Sequence, residues 1–286
     1  MTAPDLALTV AQALRAATQA LDGLPDGNPR REAELLLMEA TGWPHTRLIA
    51  WPEQALDAAP RAAFERLVAR RRSGEPLAYI RGRQAFWTLD LRVTPATLIP
   101  RPETELLVEI ALTHPGADSC RQVADLGTGS GAIAAALARE RPHWYVIALD
   151  RSAAALAVAR ANFAELGLSN CLAARGDWLS SLGSRRLDLI LANPPYVPES
   201  DPHLTRGDLR FEPRGALASG RDGLDAIRAI VGRAALCLKP GGLLAVEHGF
   251  DQGPAVRRLF AQAGLRDGET RRDLAGQERV TLARMD

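Results

Sequence analysis

The clearest architectural signal in this chain of 286 residues is Asp125-Leu126-Gly127-Thr128-Gly129-Ser130-Gly131. The residues around it predict a strand over 122–126 and a helix over 132–140, so the glycines form a strand-to-helix turn. Glycine has no Cβ, which lets the backbone bend sharply and approach a ligand closely. The G-x-G-x-G spacing differs from the G-x-G-x-x-G of dinucleotide sites, and it lacks the G-K-S/T of nucleotide phosphate loops.

Strands and helices alternate from about residue 120 to the C-terminus. We expect strands at 122–126, 144–149, 171–175, 187–192, 243–247 and 279–284, and helices at 132–140, 153–166, 223–238 and 253–263. Such alternation with short connections indicates a parallel sheet covered by helices on both faces, an α/β fold. Ligands of these folds bind beyond the carboxyl ends of the strands.

Before residue 120 the spacing of apolar and polar residues is different. Over residues 1–74 apolar side chains recur every three to four positions, which predicts a small helical bundle. Over residues 87–93 apolar and polar side chains alternate with the period of two that is typical of a half-buried strand. The predicted organisation is therefore a helical domain at 1–74, a β-hairpin linker at 75–103 and an α/β domain at 104–286.

Composition excludes several classes of protein. With 35 basic and 34 acidic residues the net charge is +1, whereas proteins that bind nucleic acid through bulk charge carry a strong basic excess. The cysteines Cys120, Cys171 and Cys237 form no C-x-x-C pair, so neither a disulfide framework nor a cysteine-rich metal site is expected. The sequence lacks a signal peptide and any long apolar run, and we expect a cytoplasmic protein.

Acidic residues lie at or just after the ends of three of the predicted strands. Asp125 can accept a hydrogen bond from a ligand ammonium group, directly or through water. Asp150 ends the next strand, where a carboxylate can accept both hydroxyls of an adenosine ribose; the alternative is a helix N-cap. After the third strand, Asp177 can accept from an adenine amine and Trp178 can pack on the adenine ring, although a plain structural tryptophan is also possible.

The sharpest signal is Asn193-Pro194-Pro195-Tyr196, which follows the buried strand 187–192. Prolines supply carbonyl groups but no N–H groups, so this rim is rich in hydrogen-bond acceptors. The Asn193 side-chain oxygen and the Pro194 carbonyl can converge on a planar NH₂ group, which offers two donors. Tyr196 can lie against the flat face of that group. A simple proline strand terminator is the alternative.

Together these motifs resemble the class I methyltransferases that use S-adenosylmethionine, and more of the chain resembles the peptide chain release factor N5-glutamine methyltransferase family. The supporting motifs are Pro76-Leu77-Ala78-Tyr79-Ile80-Arg81-Gly82, Leu98-Ile99-Pro100-Arg101-Pro102-Glu103-Thr104-Glu105, Phe211-Glu212-Pro213-Arg214-Gly215-Ala216-Leu217, Asp222-Gly223-Leu224 and Pro240-Gly241-Gly242. The resemblance implies a Rossmann-like, mostly parallel seven-stranded sheet, with the helical domain recognising the substrate.

The pattern and the resemblance together predict the site residues. The cofactor S-adenosylmethionine, whose product is S-adenosylhomocysteine, is expected to contact Asp125, Gly127, Thr128, Gly129, Ser130, Gly131, Asp150, Asp177, Trp178 and Asn193. The substrate glutamine is expected to contact Asn193, Pro194, Pro195, Tyr196, Arg101 and Glu103. Asn193, Pro194 and Tyr196 are the predicted catalytic residues, and no metal is predicted.

The substrate that the resemblance implies is the glutamine of the Gly-Gly-Gln motif in class 1 release factors. The alternatives are a glutamine methyltransferase for a ribosomal protein and an amino-methylase of DNA. The 30 residues after Asn193 are too few for a DNA target-recognition domain, and we expect no nucleic acid, no membrane and a monomer. A cluster of arginines over residues 70–83 is a solvated helix end or a docking place for acidic residues of the release factor.

Overall fold

The computed structural model describes residues 8–24, 27–114 and 118–286. Met1–Gly82 and Arg83–Asp286 are separate compact units. The finer predicted division, with its own linker segment, stays a prediction. Among the described residues no helix is long and apolar enough to cross a membrane.

The first unit is helical, as the sequence predicts. Its helices are α1 (Val10–Leu21), α2 (Pro29–Thr41), α3 (His45–Ala50), α4 (Ala58–Arg72) and α5 (Leu77–Arg81). Helix α1 begins with a capping box, in which Thr9 Oγ1 accepts from Gln12 N and Gln12 Oε1 accepts from Thr9 N. Apolar side chains of the helices form a common core that includes Leu14, Leu36, Leu37 and Phe64.

A buried ion pair ties two of these helices together. Arg71 Nε lies 2.8 Å from Glu32 Oε2, and both side chains are almost fully buried. The neighbouring Arg70 pairs with Glu75 at 2.5 Å. The proposed docking patch is therefore wrong for Arg71, because a guanidinium inside the core cannot meet an acidic partner. Helical periodicity did not reveal this, since α4 places three consecutive arginines on different faces.

The second unit starts with an antiparallel hairpin of β1 (Arg83–Phe86) and β2 (Leu89–Arg92). An extended segment leads from it to α6 (Glu105–Thr113). Phe86 and Leu91 are buried in the main core, so the alternation seen in the sequence marks a hairpin that packs on the α/β layers.

The described residues of this unit form a seven-stranded sheet with the order β5-β4-β3-β6-β7-β9-β8. The strands are β3 (Gln122–Leu126), β4 (Tyr145–Asp150), β5 (Cys171–Arg175), β6 (Leu187–Ala192), β7 (Leu238–Glu247), β8 (Arg266–Arg272) and β9 (Glu278–Arg284). Strands β3 to β7 are parallel, and β9 is antiparallel to β7 and β8. The predicted mostly parallel sheet is confirmed.

Helices cover both faces of the sheet. They are α7 (Ala132–Glu140), α8 (Ala153–Glu165), α9 (Asp225–Cys237) and α10 (Gly253–Gln262). Side chains of α6, α7 and α8 pack on one face, and side chains of α9 and α10 pack on the other. Burial on both faces explains why β3, β4, β6 and β7 read as nearly continuous apolar runs.

Strand register brings four chain segments to one edge of the sheet. Leu126 pairs with Leu149 in β4 and with Ala192 in β6. Ala192 pairs with Val246 in β7. The residues that follow these four positions are Gly127, Asp150, Asn193 and Glu247. The turn, the acid and the proline-rich rim picked out from the sequence therefore lie side by side.

Strand β8 is absent from the sequence prediction, and β7 begins five residues earlier than expected, at Leu238. Strand β8 lies at the edge of the sheet and is almost entirely exposed, so it carries no apolar alternation. Its backbone pairing with β9, and not its side chains, makes it a strand. The start of β7 was missed for a different reason: its glycines and proline interrupt the apolar pattern from which a strand is predicted.

Candidate active site

The glycine turn is fixed to the neighbouring strand and packed from behind. Gly127 N and Thr128 N donate to the Leu149 carbonyl at 2.8 and 2.9 Å. Gly131 has a φ of 85°, and a Cβ there would lie 2.6 Å from the Phe163 ring. Gly129 has a φ of 56° and no side chain close to its Cβ position. The turn is thus closed on its inner side and open at Gly129.

Asp125 lies behind this turn and holds it against α7. Its Oδ2 accepts from Thr128 Oγ1 at 2.6 Å and from Ala134 N at 3.2 Å. Burial raises the pKa of this carboxyl to about 7. Its Oδ1 is buried and has no hydrogen-bond partner among the described residues. That oxygen is an acceptor for which a cation or a donor hydrogen is the natural complement.

Asp150 joins the turn to the start of α8. Its Oδ2 accepts from Gly129 N at 3.0 Å and its Oδ1 accepts from Ser152 N at 2.8 Å. Ser152, and not Asp150, is the N-cap of α8, because its Oγ accepts from Ala155 N. Asp150 is therefore a fixed carboxylate whose remaining lone pairs are available at the edge of the sheet.

A cavity of about 770 Å³ opens at this edge. Seven of the predicted site residues line it, namely Gly127, Gly129, Asp150, Asp177, Trp178, Asn193 and Pro195. Its other walls come from residues within segments 96–98, 151–155, 213–219 and 225–229, together with Gly176 and Glu199. Its volume lies within the range of about 300–1,000 Å³ that is usual for small-molecule sites.

Trp178 has an unusual backbone conformation. Its φ of 48° is in the left-handed region, which non-glycine residues adopt at a cost. Its ring lies beside the glycine turn, 3.2 Å from the point where a Cβ of Gly127 would be. A Cβ at position 127 would press on this ring, and the φ of 71° would strain it further, so glycine suits this position.

Thr128, Ser130, Gly131 and Asp125 are not among the residues that line the cavity. Thr128 and Ser130 are buried, and the Ser130 carbonyl accepts from Asn162 Nδ2 at 2.8 Å. The Thr128 and Asp125 side chains and the Ser130 carbonyl hold the turn in shape. A contact of these residues with the cofactor stays a prediction.

The proline-rich rim is connected to two residues that the sequence did not mark as catalytic. Asn193 Nδ2 donates to Thr104 Oγ1 at 2.9 Å, and Thr104 Oγ1 donates to Glu247 Oε2 at 2.7 Å. Tyr196 Oη donates to Glu247 Oε1 at 3.3 Å. Within the rim Pro194 is buried, and neither Pro194 nor Tyr196 lines the cavity. Asn193 and Tyr196 are thus held through one common carboxylate.

Glu247 is 1% exposed. Burial raises its pKa to about 7, although Thr104, Tyr196 and Arg279 favour the charged form. Burial and the neighbouring Glu247 also raise the pKa of the Tyr196 hydroxyl. The signal for Glu247 was present in the sequence: it ends a predicted strand, as Asp150 does. Only the strand order shows that this strand lies next to the one that ends at Asn193.

Arg101 and Glu103 have different surroundings. Arg101 forms an ion pair with the buried Glu212, whose Oε2 also accepts from Ile99 N at 3.0 Å. Burial raises the pKa of Glu212 despite the arginine. Glu103 is exposed on a short 3-10 turn, Pro102–Thr104. Neither Arg101 nor Glu103 lines the cavity, and contacts of either with a substrate stay predictions.

Comparison with known proteins agrees with this site. A model of the PrmC N-terminal domain matches residues 12–82, and a model of the methyltransferase small domain matches residues 102–206. The chain is 52% identical over 260 residues to the release factor glutamine methyltransferase of Pseudomonas aeruginosa, a match that covers 91% of this chain and 94% of that protein. The chain belongs to the release factor glutamine methyltransferase family.

Other members of this family are comparably similar. The Escherichia coli protein of the same name is 46% identical over 90% of this chain and 92% of its own length. The Burkholderia pseudomallei protein is 48% identical over 97% of this chain and 96% of its own length. The family resemblance stated from the motifs is therefore confirmed, and the match includes most of both units.

Solved structures support the fold alone. The Thermus thermophilus 16S rRNA methyltransferase, solved with AdoMet and guanosine, aligns with a TM-score of 0.54 at 22% identity over 71% of this chain and 50% of that chain. A methyltransferase from Pyrococcus furiosus aligns with a TM-score of 0.53 at 18% identity over 76% of this chain and 95% of that chain. The predicted methyltransferase fold is confirmed.

Proposed function

We propose that this protein transfers a methyl group from S-adenosylmethionine to the side-chain nitrogen N5 of the glutamine in the Gly-Gly-Gln motif of class 1 release factors. Family membership supports the reaction. The observation that supports it structurally is the register that sets Asn193 beside Gly127, both of which line the cavity, and next to Glu247. The acceptor-rich rim is therefore next to a cavity that is large enough to hold a nucleoside.

The residues present fit S-adenosylmethionine. Gly129 leaves room at the turn, and Asp150 presents a carboxylate that suits ribose hydroxyls. Asp177 and Trp178 offer an acceptor and a flat ring for adenine. Asp125 Oδ1 is unpartnered but buried behind the turn, so its contact with the positive charge of such a ligand is part of this proposal. When bound, the cofactor supplies an electrophilic methyl group on a sulfonium.

The chemical task of the rim follows from the weak nucleophilicity of an amide nitrogen, whose lone pair is delocalised into the carbonyl. Two acceptors, the Asn193 side-chain oxygen and the Pro194 carbonyl, would bind the two N–H bonds of the substrate amide. They would stabilise the positive charge that develops on nitrogen as its bond to the methyl carbon forms and the carbon–sulfur bond breaks. The surplus proton leaves to water, so no strong base is required.

Positioning supplies the rest of the rate acceleration. A rim made of two prolines and a tethered asparagine has little freedom, and holding reactants in line can contribute up to ~7–11 kcal/mol in ideal cases. The Tyr196 carbonyl is fixed by Gln252 Nε2 at 3.0 Å. A Cβ on Gly223 would lie 2.1 Å from the same carbonyl, so close packing also secures the rim.

We also propose that the first unit recognises the body of the release factor, because a Gly-Gly-Gln loop offers little side chain to bind. The proposed partner is a protein alone, without direct contact to nucleic acid or membrane. A monomer in the cytoplasm would suffice for this task.

The test is methyl transfer from radiolabelled S-adenosylmethionine, offered separately with purified release factor, with ribosomes and with duplex DNA. We expect label only in release factor, and none when the motif glutamine is replaced by alanine. Label in a ribosomal protein or in DNA would favour one of the two alternatives. Absence of label in release factor would contradict the proposal.

A further inference from the structure

Thr104 connects the substrate rim to a buried carboxylate. Its hydroxyl lies 2.7 Å from Glu247 Oε2 and 2.9 Å from Asn193 Nδ2. A threonine hydroxyl has one proton to donate; the structure directs it to Glu247, which in its ionised form can only accept. The proton is therefore committed to Glu247, and Thr104 Oγ1 offers only lone pairs to Asn193.

This arrangement decides which way the Asn193 amide faces. Because Thr104 can only accept, the NH₂ end of Asn193 must point to it and the Oδ1 end must point away. No group among the described residues donates a hydrogen bond to that Oδ1. The oxygen is therefore left free for the donor hydrogens of a substrate NH₂ group. A flipped amide would present its own NH₂ to them instead, and two donors repel.

The burial of the connection indicates a role other than helix capping. Thr104 is 4% exposed and Glu247 is 1% exposed. Thr104 precedes α6, yet its side chain makes no capping hydrogen bond. A buried carboxyl is costly unless its hydrogen bonds are made, and the hydroxyls of Thr104 and Tyr196 supply two of those of Glu247.

We propose that Thr104 and Glu247 are positioning residues, which set the amide of Asn193 with its oxygen toward the glutamine to be methylated. The proposal rests on the proposed function for the identity of that substrate. The orientation of the amide itself does not depend on the substrate and can be measured without it.

The first experiment therefore observes the amide directly. The chain contains four asparagines, Asn28, Asn162, Asn170 and Asn193. Selective ¹⁵N-asparagine labelling gives a side-chain NH₂ pair for each, and the Asn193→Ala variant identifies the pair of Asn193. We expect Thr104→Val to shift this pair and speed its exchange with water, and Thr104→Ser to restore it. The pairs of Asn162 and Asn170 should not move in any variant.

The matched control is Thr281→Val. Thr281 is also a buried threonine, but its hydroxyl contacts His248 Nε2 at 2.7 Å and Thr270 Oγ1 at 2.9 Å, not the rim. Loss of this hydroxyl should leave the Asn193 pair in place. An Asn193 pair that is the same in wild type and Thr104→Val would overturn the proposal, whatever substrate the enzyme uses.

The second experiment is a double-mutant cycle on methyl transfer to release factor. We expect Thr104→Val to lower kcat ~10–100-fold, as a misplaced group commonly does, with little change in KM. In the Asn193→Ala background the same change should cost less than about twofold, because Thr104 acts through Asn193. Equal losses in both backgrounds would overturn the proposal. If wild type does not methylate release factor, the proposed function fails and the amide measurement still decides the orientation.

Discussion

Asp150 Oδ2 accepts a hydrogen bond from Gly129 N at 3.0 Å, so the acid that ends β4 also holds open the glycine turn that follows β3. Asp150→Ala removes this bond and the proposed contacts to the ribose. We expect the affinity for S-adenosylmethionine to fall ~10–100-fold, since each hydrogen bond to a charged group contributes about 1.5–3 kcal/mol. Calorimetric titration measures it. The exposed Glu109→Ala should bind as wild type does, and an unchanged affinity in Asp150→Ala would contradict the assignment.

Asn193→Ala separates chemistry from cofactor binding. Loss of one acceptor at the developing charge should lower kcat ~10²–10³-fold, by analogy with the loss of an oxyanion-hole donor. Cofactor affinity should stay within about threefold, because Asp150, Asp177 and Trp178 remain. Single-turnover methylation of release factor and calorimetry measure the two effects. Wild-type turnover in this variant would show that the rim does not activate the amide.

Gly131 and Gly232 form a matched pair for stability. A Cβ at Gly131 meets the Phe163 ring at 2.6 Å and must adopt a φ of 85°, so Gly131→Ala should destabilise the protein by about 1–3 kcal/mol. Gly232 lies on the exposed side of α9 with open space around its Cβ position. Gly232→Ala should stabilise by roughly 0.5–1 kcal/mol. Denaturant titration compares them, and equal midpoints would contradict the packing described here.

Glu247 should make stability depend on pH. Its pKa rises from 4.5 in the unfolded chain to about 7 in the fold, so the folded state binds this proton more tightly. Its stabilising contribution is complete below about 4.5 and is lost as pH rises through about 7. The groups facing it are Thr104, Tyr196, Arg279 and Glu103.

Glu247→Gln isolates this effect, because glutamine never ionises. At pH 8 we expect the free energy of unfolding of the variant to exceed that of wild type by an amount on the order of 1–3 kcal/mol, and its melting temperature to be higher. At pH 4.5 the difference should nearly vanish, since Glu247 is then protonated in the fold. Melting curves across this range measure it. A constant difference at every pH would show that Glu247 is not buried in its charged form.

Among its described residues, the first unit has two large apolar side chains that are exposed, Ile49 at 64% and Trp51 at 54% exposure. Large apolar side chains in contact with water often belong to binding surfaces. If this unit recognises the release factor, Ile49→Ser with Trp51→Ser should raise KM for the full-length factor about tenfold. Methylation of a short Gly-Gly-Gln peptide should stay as in wild type. A matched change at Leu274, an exposed residue near the C-terminus, should affect neither substrate.

Much of the architecture could be predicted from the sequence, because the buried strands are continuous apolar runs and glycine and proline mark their ends. The same features predicted the positions of Gly127, Asp150 and Asn193. Strand β8 could not be predicted, since neither of its faces is buried and its pairing leaves no trace in side-chain type.

Which site residues contact one another was harder to predict than which residues belong to the site. Thr104 and Glu247 lie 143 residues apart, and only the order of the strands brings them together. The ion pair of Arg101 with Glu212 spans 111 residues in the same way. Each partner stands in a recognisable segment, yet one sequence does not say which segments meet.

The buried pair of Arg71 and Glu32 limits how the helical unit can change over evolution. Replacing one partner leaves an uncompensated charge in the core and costs about 3–5 kcal/mol, whereas exchanging both for apolar residues of similar volume is often neutral or stabilising. Either single replacement is therefore less stable than both the original charged pair and an apolar pair. Among relatives, positions 32 and 71 should therefore change together or not at all, and an alignment would show this as covariation.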